Sequence, residues 1–353
     1  MTVEVVKPGL LTTLQDAGRA GFAHLGVGRA GAFDAPALRI ANMLCGNPAT
    51  ACGLEITLLG PTLRLHADGW IAVTGAPLPV RIDGRDAPMW ATLQVHAGAT
   101  VALGAMRAGC RSYLAVRGGF DAVAVLGSRS TDVNARIGPF DGNPLHEGDE
   151  LPVAKARGGA PARARTASTW RLDPDPWFDD GARKPLRLLP GSHLDRLEET
   201  SHNSLFSDQF EVRSDSNRVG LRLFGPRLGF SAPIEMVSEG SVPGLLQLPP
   251  SGQPIAFGPE CPVSGGYPRL GQVAAVDIPR LAQLRPGDAL RFEPMAFDDA
   301  LAALRKRERA LQQLQAAISN RLEWIDPIPR TASISTPTLA NRSAPGAWAT
   351  TPA

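Results

Sequence analysis

The sequence is short of the features that mark many common functions. Its four cysteines, Cys45, Cys52, Cys110 and Cys261, form no Cys-x-x-Cys pair, and its six histidines are scattered. The clustered thiolates or imidazoles of a zinc site are therefore missing, and no metal site is expected. Neither sign of charge is in excess: 36 Lys and Arg against 34 Asp and Glu leave a formal charge of +2. Such a balance gives nucleic acid or an anionic membrane little to hold. No apolar run reaches the length of a membrane span. Residues 1–11 carry Glu4 and Lys7 where a signal peptide would be apolar. Unpaired cysteines without an export signal point to a reducing cytoplasm. Neither a Gly-x-x-x-x-Gly-Lys-Ser/Thr phosphate loop nor a Gly-x-Ser-x-Gly elbow occurs. Spacing alone assembles no Ser/His/Asp or Cys/His set.

What is present is glycine and proline, 37 and 32 of them in 353 residues, with 43% hydrophobic residues for a core. That mixture suits short strands joined by tight turns, in two domains rather than one. Strands are expected at 70–74, 80–82, 100–103 and 112–116, then at 186–189, 210–212, 221–224, 273–276 and 289–292. A turn-then-strand unit recurs at His96-Ala97-Gly98-Ala99, His146-Glu147-Gly148-Asp149 and Arg285-Pro286-Gly287-Asp288. Small barrels use such corners repeatedly. Helices are few. Asp34-Ala35-Pro36 opens one and Gly46-Asn47-Pro48 stops it. Asp277-Ile278-Pro279 opens a shorter one. A third, from about Asp298 to Ile325, carries Leu301, Leu304, Leu311, Leu314, Ile318 and Leu322 on one face, to pack on the barrel or on a partner chain.

The expected organisation is a β domain over 1–153, an Ala/Arg/Gly/Pro-rich linker or exposed loop over 154–185, and a second β domain over 186–295. An amphipathic helix over 296–325 and a disordered tail over 326–353 follow.

Three stretches have the residue types for chemistry. The first is Thr12-Thr13-Leu14-Gln15-Asp16-Ala17-Gly18-Arg19-Ala20-Gly21, continuing through His24 to Asp34. It reads as too irregular for a helix or a strand. Its glycines let a backbone approach a ligand, and Gln15, Asp16 and Arg19 supply donors and acceptors. Equally, Asp16 and Arg19 can pair with each other in a purely structural loop. The second is Gly127-Ser128-Arg129-Ser130-Thr131, suited to an oxyanion, although an ordinary turn with hydroxyls on local backbone explains it better by itself. The third gathers Ser238-Glu239-Gly240, Gln247 and Gly265-Gly266-Tyr267-Pro268. Glu239 and Gln247 match the donors and acceptors of a urea- or lactam-like group. Alternatively, Tyr267 is a core ring beside a turn. Glu55, alone in the apolar stretch 54–59, is either a paired core carboxylate or a site acid.

These segments, in this order, resemble the family called allophanate hydrolase subunit 2. It includes the C-type component of ATP-dependent 5-oxoprolinase and the carboxyltransferase A and B subdomains of urea carboxylase. In the first half the resemblance rests on Thr13-Leu14-Gln15-Asp16 through Arg19-x-Gly21, Gly31-Ala32-Phe33-Asp34, Ala41-Asn42-Met43-Leu44, Leu54-Glu55-Ile56-Thr57 and Gly127-Ser128-Arg129-Ser130-Thr131. In the second half it rests on Ser214-Asp215-Ser216-Asn217-Arg218-Val219-Gly220, Ser238-Glu239-Gly240, Gln247, Gly265-Gly266-Tyr267-Pro268 and Leu284-Arg285-Pro286-Gly287-Asp288. It covers about residues 3 to 295.

The resemblance implies a mainly β protein of two β-barrel-like domains, the second cyclophilin-like. It implies work in a complex with a companion protein of B type and another of A type, on a small amide or lactam. Opening of 5-oxoproline to glutamate with ATP hydrolysis is the leading activity. Carboxyl transfer to urea from carboxybiotin is the alternative; this chain has no Met-Lys attachment dipeptide, so the biotin would ride on a separate carrier. A non-catalytic regulator that binds a companion protein is the third reading. Asp16, Glu239 and Tyr267 are the expected catalytic residues. Gln15, Arg19, Asn42, Glu55, Arg129, Ser130, Arg218, Gln247, Gly265 and Gly266 are expected to bind substrate or an anion. Gln15, Asp16, Arg19, Arg129, Arg218, Glu239 and Tyr267 are expected to meet at one cleft. One loop departs from the family pattern. Where an acid, a basic residue, Gln or Pro, and two hydroxyls are usual, this chain has Glu260-Cys261-Pro262-Val263-Ser264.

Overall fold

A computed structural model describes residues 1–156, 170–179 and 184–322. The expected tail from 326 onward, and part of the expected linker, lie outside these residues.

The first half is a sandwich of two antiparallel sheets over a shared core. One sheet has the strand order Glu150–Pro152, Thr2–Lys7, Thr62–Leu65, Thr100–Leu103, Val80–Ile82, Arg85–Ala87. The other runs Leu11–Gln15, Gly53–Thr57, Arg111–Val116, Gly69–Gly75, Leu93–Val95. Alternate side chains such as Val3, Val5, Leu63 and Val101 from the first sheet meet Leu54, Ile56, Val73 and Leu114 from the second. The second sheet is buried on both faces: all six residues of Arg111–Val116 are inaccessible. Its outer face receives helix α1 (Ala35–Leu44), whose first turn is capped by Asp34 accepting from the Ala37 N–H at 3.1 Å.

The second half is an eight-stranded sheet of order Ala289–Leu290, Phe210–Val212, Gly220–Phe224, Ile255–Phe257, Leu245–Gln247, Arg269–Val273, Leu186–Pro190, Phe292–Pro294. Its two edge strands are separated in sequence only by Arg291, so the sheet curls into a nearly closed barrel around Leu188, Leu223, Leu246 and Leu270. Two short helices, α2 (Glu199–Ser207) and α3 (Ile278–Gln283), flank it. The last helix, α4 (Phe297–Leu322), leaves the barrel and returns to the first half. There Leu311, Ile318 and Leu322 pack with Ile40, Met43, Trp70 and Trp90, and Arg39 makes a two-bonded ion pair to Glu308 at 2.8 and 2.9 Å. The apolar stripe of α4 is thus spent within the chain. No helix among the described residues is long and apolar enough to cross a membrane.

The mainly β reading holds, and the recurring corner units are real turns. Gly98, Gly148 and Gly287 have φ of 81°, 88° and 88°, each closed by a bond from the next residue's N–H to the carbonyl three back. Several expectations need correction. Leu11–Gln15, read as irregular, is a strand paired along its whole length with Gly53–Thr57. The strand expected at 273–276 instead spans Arg269–Val273, and Val276 lies in the turn into α3. Strand 289–292 splits at Arg291. Asp277 does not cap α3 with its side chain; it turns to Arg187 at 2.5 Å. Trp170, Leu172, Trp177 and Phe178, in the stretch expected to bury little, pack against the core under α1 and α4.

The two halves lock together through side chains. Phe33, from the loop before α1, enters the barrel core. Gln283 accepts from the N–H groups of Cys110 and Arg111 and donates to Asp34 at 2.8 Å. Arg285 donates to the carbonyls of Gly109 and Met106.

Candidate functional site

The two hydroxyl- and glycine-rich loops of the first half clasp each other. Asp16 Oδ1 accepts from Ser128 Oγ and Ser130 Oγ, both at 2.6 Å, and from the Gly18 N–H; Oδ2 accepts from the Arg129 N–H at 2.7 Å. A carboxylate offers about four acceptor positions, and here the protein fills four. The hydroxyls of Ser128 and Ser130 therefore serve a residue more than a hundred positions away, while Ser128 Oγ also accepts the local Ser130 N–H at 3.0 Å, as in an ordinary turn. Gln15 Nε2 ties the same loops by donating to Thr131 O at 2.8 Å. The Arg129 guanidinium turns outward to Ala122 O and Asp121.

Arg19 stands on the inner side of this clasp. Its side chain is 2% exposed and donates from Nη2 to Ser130 O, while Nε and Nη1 have no hydrogen-bond partner in the protein. Burial lowers its pKa, and the charges of Asp132, Asp16 and Glu260 oppose that. Arg19 lines a cavity of about 560 Å³ between the two halves. The first half supplies Asp16, Ala17, Arg29, Phe33 and neighbouring small residues to its wall, and the barrel supplies Ser241, Val242, Cys261, Val263 and Ile278. Ser241 Oγ is a second buried group without a partner.

Beneath the cavity floor lies a buried ionic network. Arg218 donates to Glu55 Oε1, to Glu260 Oε1 at 2.5 Å and to Gly31 O at 2.8 Å. Glu55 also faces Arg111 at 3.4 Å and accepts from Tyr113 and the Phe33 N–H. Burial would raise the Glu55 carboxyl, but Arg218 and Arg111 outweigh it and hold the group below its ordinary value. Glu55 and Arg218 thus satisfy each other, and neither lines the cavity. Asn42 is likewise internal: it donates to Ala51 O and accepts from Asn47, shaping the end of α1.

On the barrel, a two-stranded ribbon of Glu239–Gly240 and Ser264–Gly265 divides two spaces. Alternation along the extended segment sends Cys261 and Val263 to the interdomain cavity. Pro262 and Ser264 face a cavity of about 410 Å³, lined also by Gln247, Gly265, Gly266 and Tyr267. Gln247 Nε2 has no partner, and a Cβ on Gly265 would lie 3.1 Å from it. Tyr267, 46% exposed, also borders a cavity of about 700 Å³. Glu239 is exposed and pairs with Arg269 at 3.2 Å. The seven residues expected at one cleft are therefore spread out. Asp16 and Arg19 line the interdomain cavity, Tyr267 lies across the ribbon, Glu239 is on it, and Gln15, Arg129 and Arg218 line neither space. Ser241, Arg111 and Tyr113 escape a reading of the sequence, because their surroundings come from distant strands and leave no local sign. No group of three or more metal-ligating side chains occurs among the described residues.

A sequence model of the carboxyltransferase domain, subdomain A and B, matches residues 25–294. The chain belongs to this family. Among its relatives, the 5-oxoprolinase C subunit of Escherichia coli is 37% identical over 321 residues, covering 90% of this chain and 99% of that protein. The Haemophilus influenzae protein of the same name is 33% identical over 309 residues, 88% of this chain and 96% of that one. Urea amidolyase of Saccharomyces cerevisiae is 28% identical over 96% of this chain. Among solved structures, the K. lactis urea amidolyase superposes with a TM-score of 0.77 at 27% identity over 91% of this chain. This chain spans only 19% of the S. cerevisiae amidolyase and 20% of the K. lactis chain. The family fold is thus shared by stand-alone chains and by segments of much longer enzymes.

Proposed function

We propose that this chain is one component of a cytoplasmic, ATP-dependent 5-oxoprolinase-type assembly that opens the lactam of 5-oxoproline to glutamate. The observation that carries the reading is the end-to-end match to two 5-oxoprolinase C subunits, covering 99% and 96% of their lengths. Lactam opening breaks the ring C–N bond while water adds its hydroxyl to the carbonyl carbon and a proton to the nitrogen. The interdomain cavity is the proposed site. Its largely apolar wall would exclude bulk water, and Arg19 and Ser241 would orient the ring. Asp16 is proposed to shape the loop that presents Arg19. Glu239 and Tyr267, exposed on the ribbon side, are proposed to act where companion proteins of B and A type complete the assembly. ATP enters as a co-substrate of that assembly.

The family description itself favours a second reading, a carboxyltransferase using carboxybiotin on a separate carrier. ATP turnover by this chain with its companion proteins, with and without 5-oxoproline, separates the two. Stimulation supports lactam opening. Co-purifying proteins that show no stimulation would overturn it in favour of carboxyl transfer, which ATP-independent exchange from carboxybiotin would then report.

A further inference from the structure

We infer that the interdomain cavity is a carboxylate-recognition site, in which Arg19 holds the carboxylate of a compact, otherwise apolar ligand and the Ser241 hydroxyl meets a polar group at its far end. The inference rests on the reading above only for the choice of 5-oxoproline as a probe.

A guanidinium carries five N–H donors. Arg19 uses one nitrogen on Ser130 O, which fixes its orientation, and leaves Nε and Nη1 without acceptors in the protein at 2% exposure. Buried charged donors are costly when unmade. The buried Arg218, by comparison, has acceptors for all three of its nitrogens, and Arg111, Arg269 and Arg280 each leave only a buried Nε without one, where Arg19 leaves two nitrogens. Unlike Arg218, Arg19 lies on a cavity wall. Asp132, Asp16 and Glu260 already oppose its charge from a distance, so what a carboxylate there supplies is the acceptor oxygens that Nε and Nη1 lack.

The rest of the wall selects against a fully polar ligand. Ala17, Ala30, Phe33, Val242, Val263 and Ile278 surround the space, and about 560 Å³ accommodates a five-membered ring. Cys261 and Val263 make the barrel side of this wall apolar. Ser241 Oγ, on the barrel side, is the only other buried unpartnered polar atom on this wall besides those of Arg19 among the described residues. A lactam ring bearing a carboxylate matches this pattern of one charged pole, one hydrocarbon body and one weak polar pole. Urea has neither the charge nor the hydrocarbon.

The test is calorimetric titration of the full chain, and of the assembled complex, with three probes. These are 5-oxoproline, cyclopentanecarboxylate (carboxylate without lactam) and 2-pyrrolidinone (lactam without carboxylate). Both carboxylates should bind at least tenfold more tightly than 2-pyrrolidinone, and Arg19→Met should remove that preference. Because Arg19 also holds Ser130 O, Val263→Phe serves as a second variant that fills the cavity without touching that bond. It should abolish carboxylate binding at an unchanged melting temperature. Equal binding of 2-pyrrolidinone, carboxylate binding that survives both substitutions, or no carboxylate binding to either chain or complex would overturn the inference. Binding of cyclopentanecarboxylate through Arg19 in a complex whose ATP turnover ignores 5-oxoproline would sink the lactamase reading and leave the carboxylate site standing.

Discussion

Glu55 and Arg218 stand 163 residues apart in sequence and meet as a buried ion pair that joins the sandwich to the barrel. Glu260 holds the other side of the same guanidinium. The pair is what orients Phe33 and the loop leading to α1, because Glu55 also accepts the Phe33 N–H.

Removing the cation should leave Glu260 with only the Asn134 amide and Glu55 with Arg111 at 3.4 Å, two buried carboxylates sharing one remaining nearby cation. Arg218→Met is expected to lower the unfolding free energy by about 3–5 kcal/mol, the usual penalty for breaking a buried pair from one side. Urea denaturation measures this directly. An unchanged midpoint would mean that the network is solvated in solution.

Asp34 gives a pH signature. Burial is the main cause that raises its carboxyl from 3.8 to about 6, against the opposing bonds from Gln283 and the Ala37 N–H. A raised acid favours the protonated folded state, so its contribution falls as pH rises from 3.8 and is fully lost above about 6. Asn keeps the helix cap without the charge. The stability of Asp34→Asn relative to the parent should therefore rise by about 2 kcal/mol between pH 4 and pH 7. Parallel denaturation curves at the two pH values decide it, and a constant difference would refute the assignment.

The four donors on Asp16 predict that its loss loosens two segments at once. Asp16→Ala should destabilise the protein by about 3 kcal/mol, since bonds to a charged acceptor are the stronger kind. Amide exchange should accelerate in residues 15–31 and 127–132 while the barrel strands keep their protection. Acceleration in only one segment would show that the clasp is not cooperative.

Cys261 should be a poor nucleophile although it lines a cavity. Burial pushes its thiol up to about 12, so at pH 8 roughly one part in ten thousand is thiolate. Iodoacetamide should modify it at least ~100-fold more slowly than a free peptide cysteine, read by mass spectrometry of the intact chain. Labelling at the free-thiol rate would contradict the buried setting.

Legibility in the sequence followed how local each determinant was. Val80–Ile82, Thr100–Leu103 and Phe210–Val212 could be read to the residue because β-branched or aromatic residues end at turn formers. Leu11–Gln15 could not: Thr12, Thr13 and Gln15 are buried polar residues, tolerated because Thr12 donates to Pro8 O and Gln15 Nε2 donates to Thr131 O and Thr13 Oγ1. Helix α2 was hidden by Thr, Ser, His and Asn, weak helix formers, and it is held by the burial of Leu205 and Ser201. Arg19 was visible as a donor in a glycine-rich loop. Its unfilled nitrogens became visible only once the loop at 127–131 was placed against it. Glu55 and Arg218 each stand out singly, but that they satisfy each other is a tertiary fact with no trace in spacing.

The return of α4 to the first half also sets an order of events during synthesis. The apolar faces of Ile40, Met43, Trp70 and Trp90 are closed by Leu311, Ile318 and Leu322, which leave the ribosome more than two hundred residues later. At roughly 5–20 residues per second that is an interval of tens of seconds. During it the tryptophan-lined surface of the sandwich has only Trp170, Leu172, Trp177 and Phe178 to pack on it, and its final cover is the last of the described elements to be made.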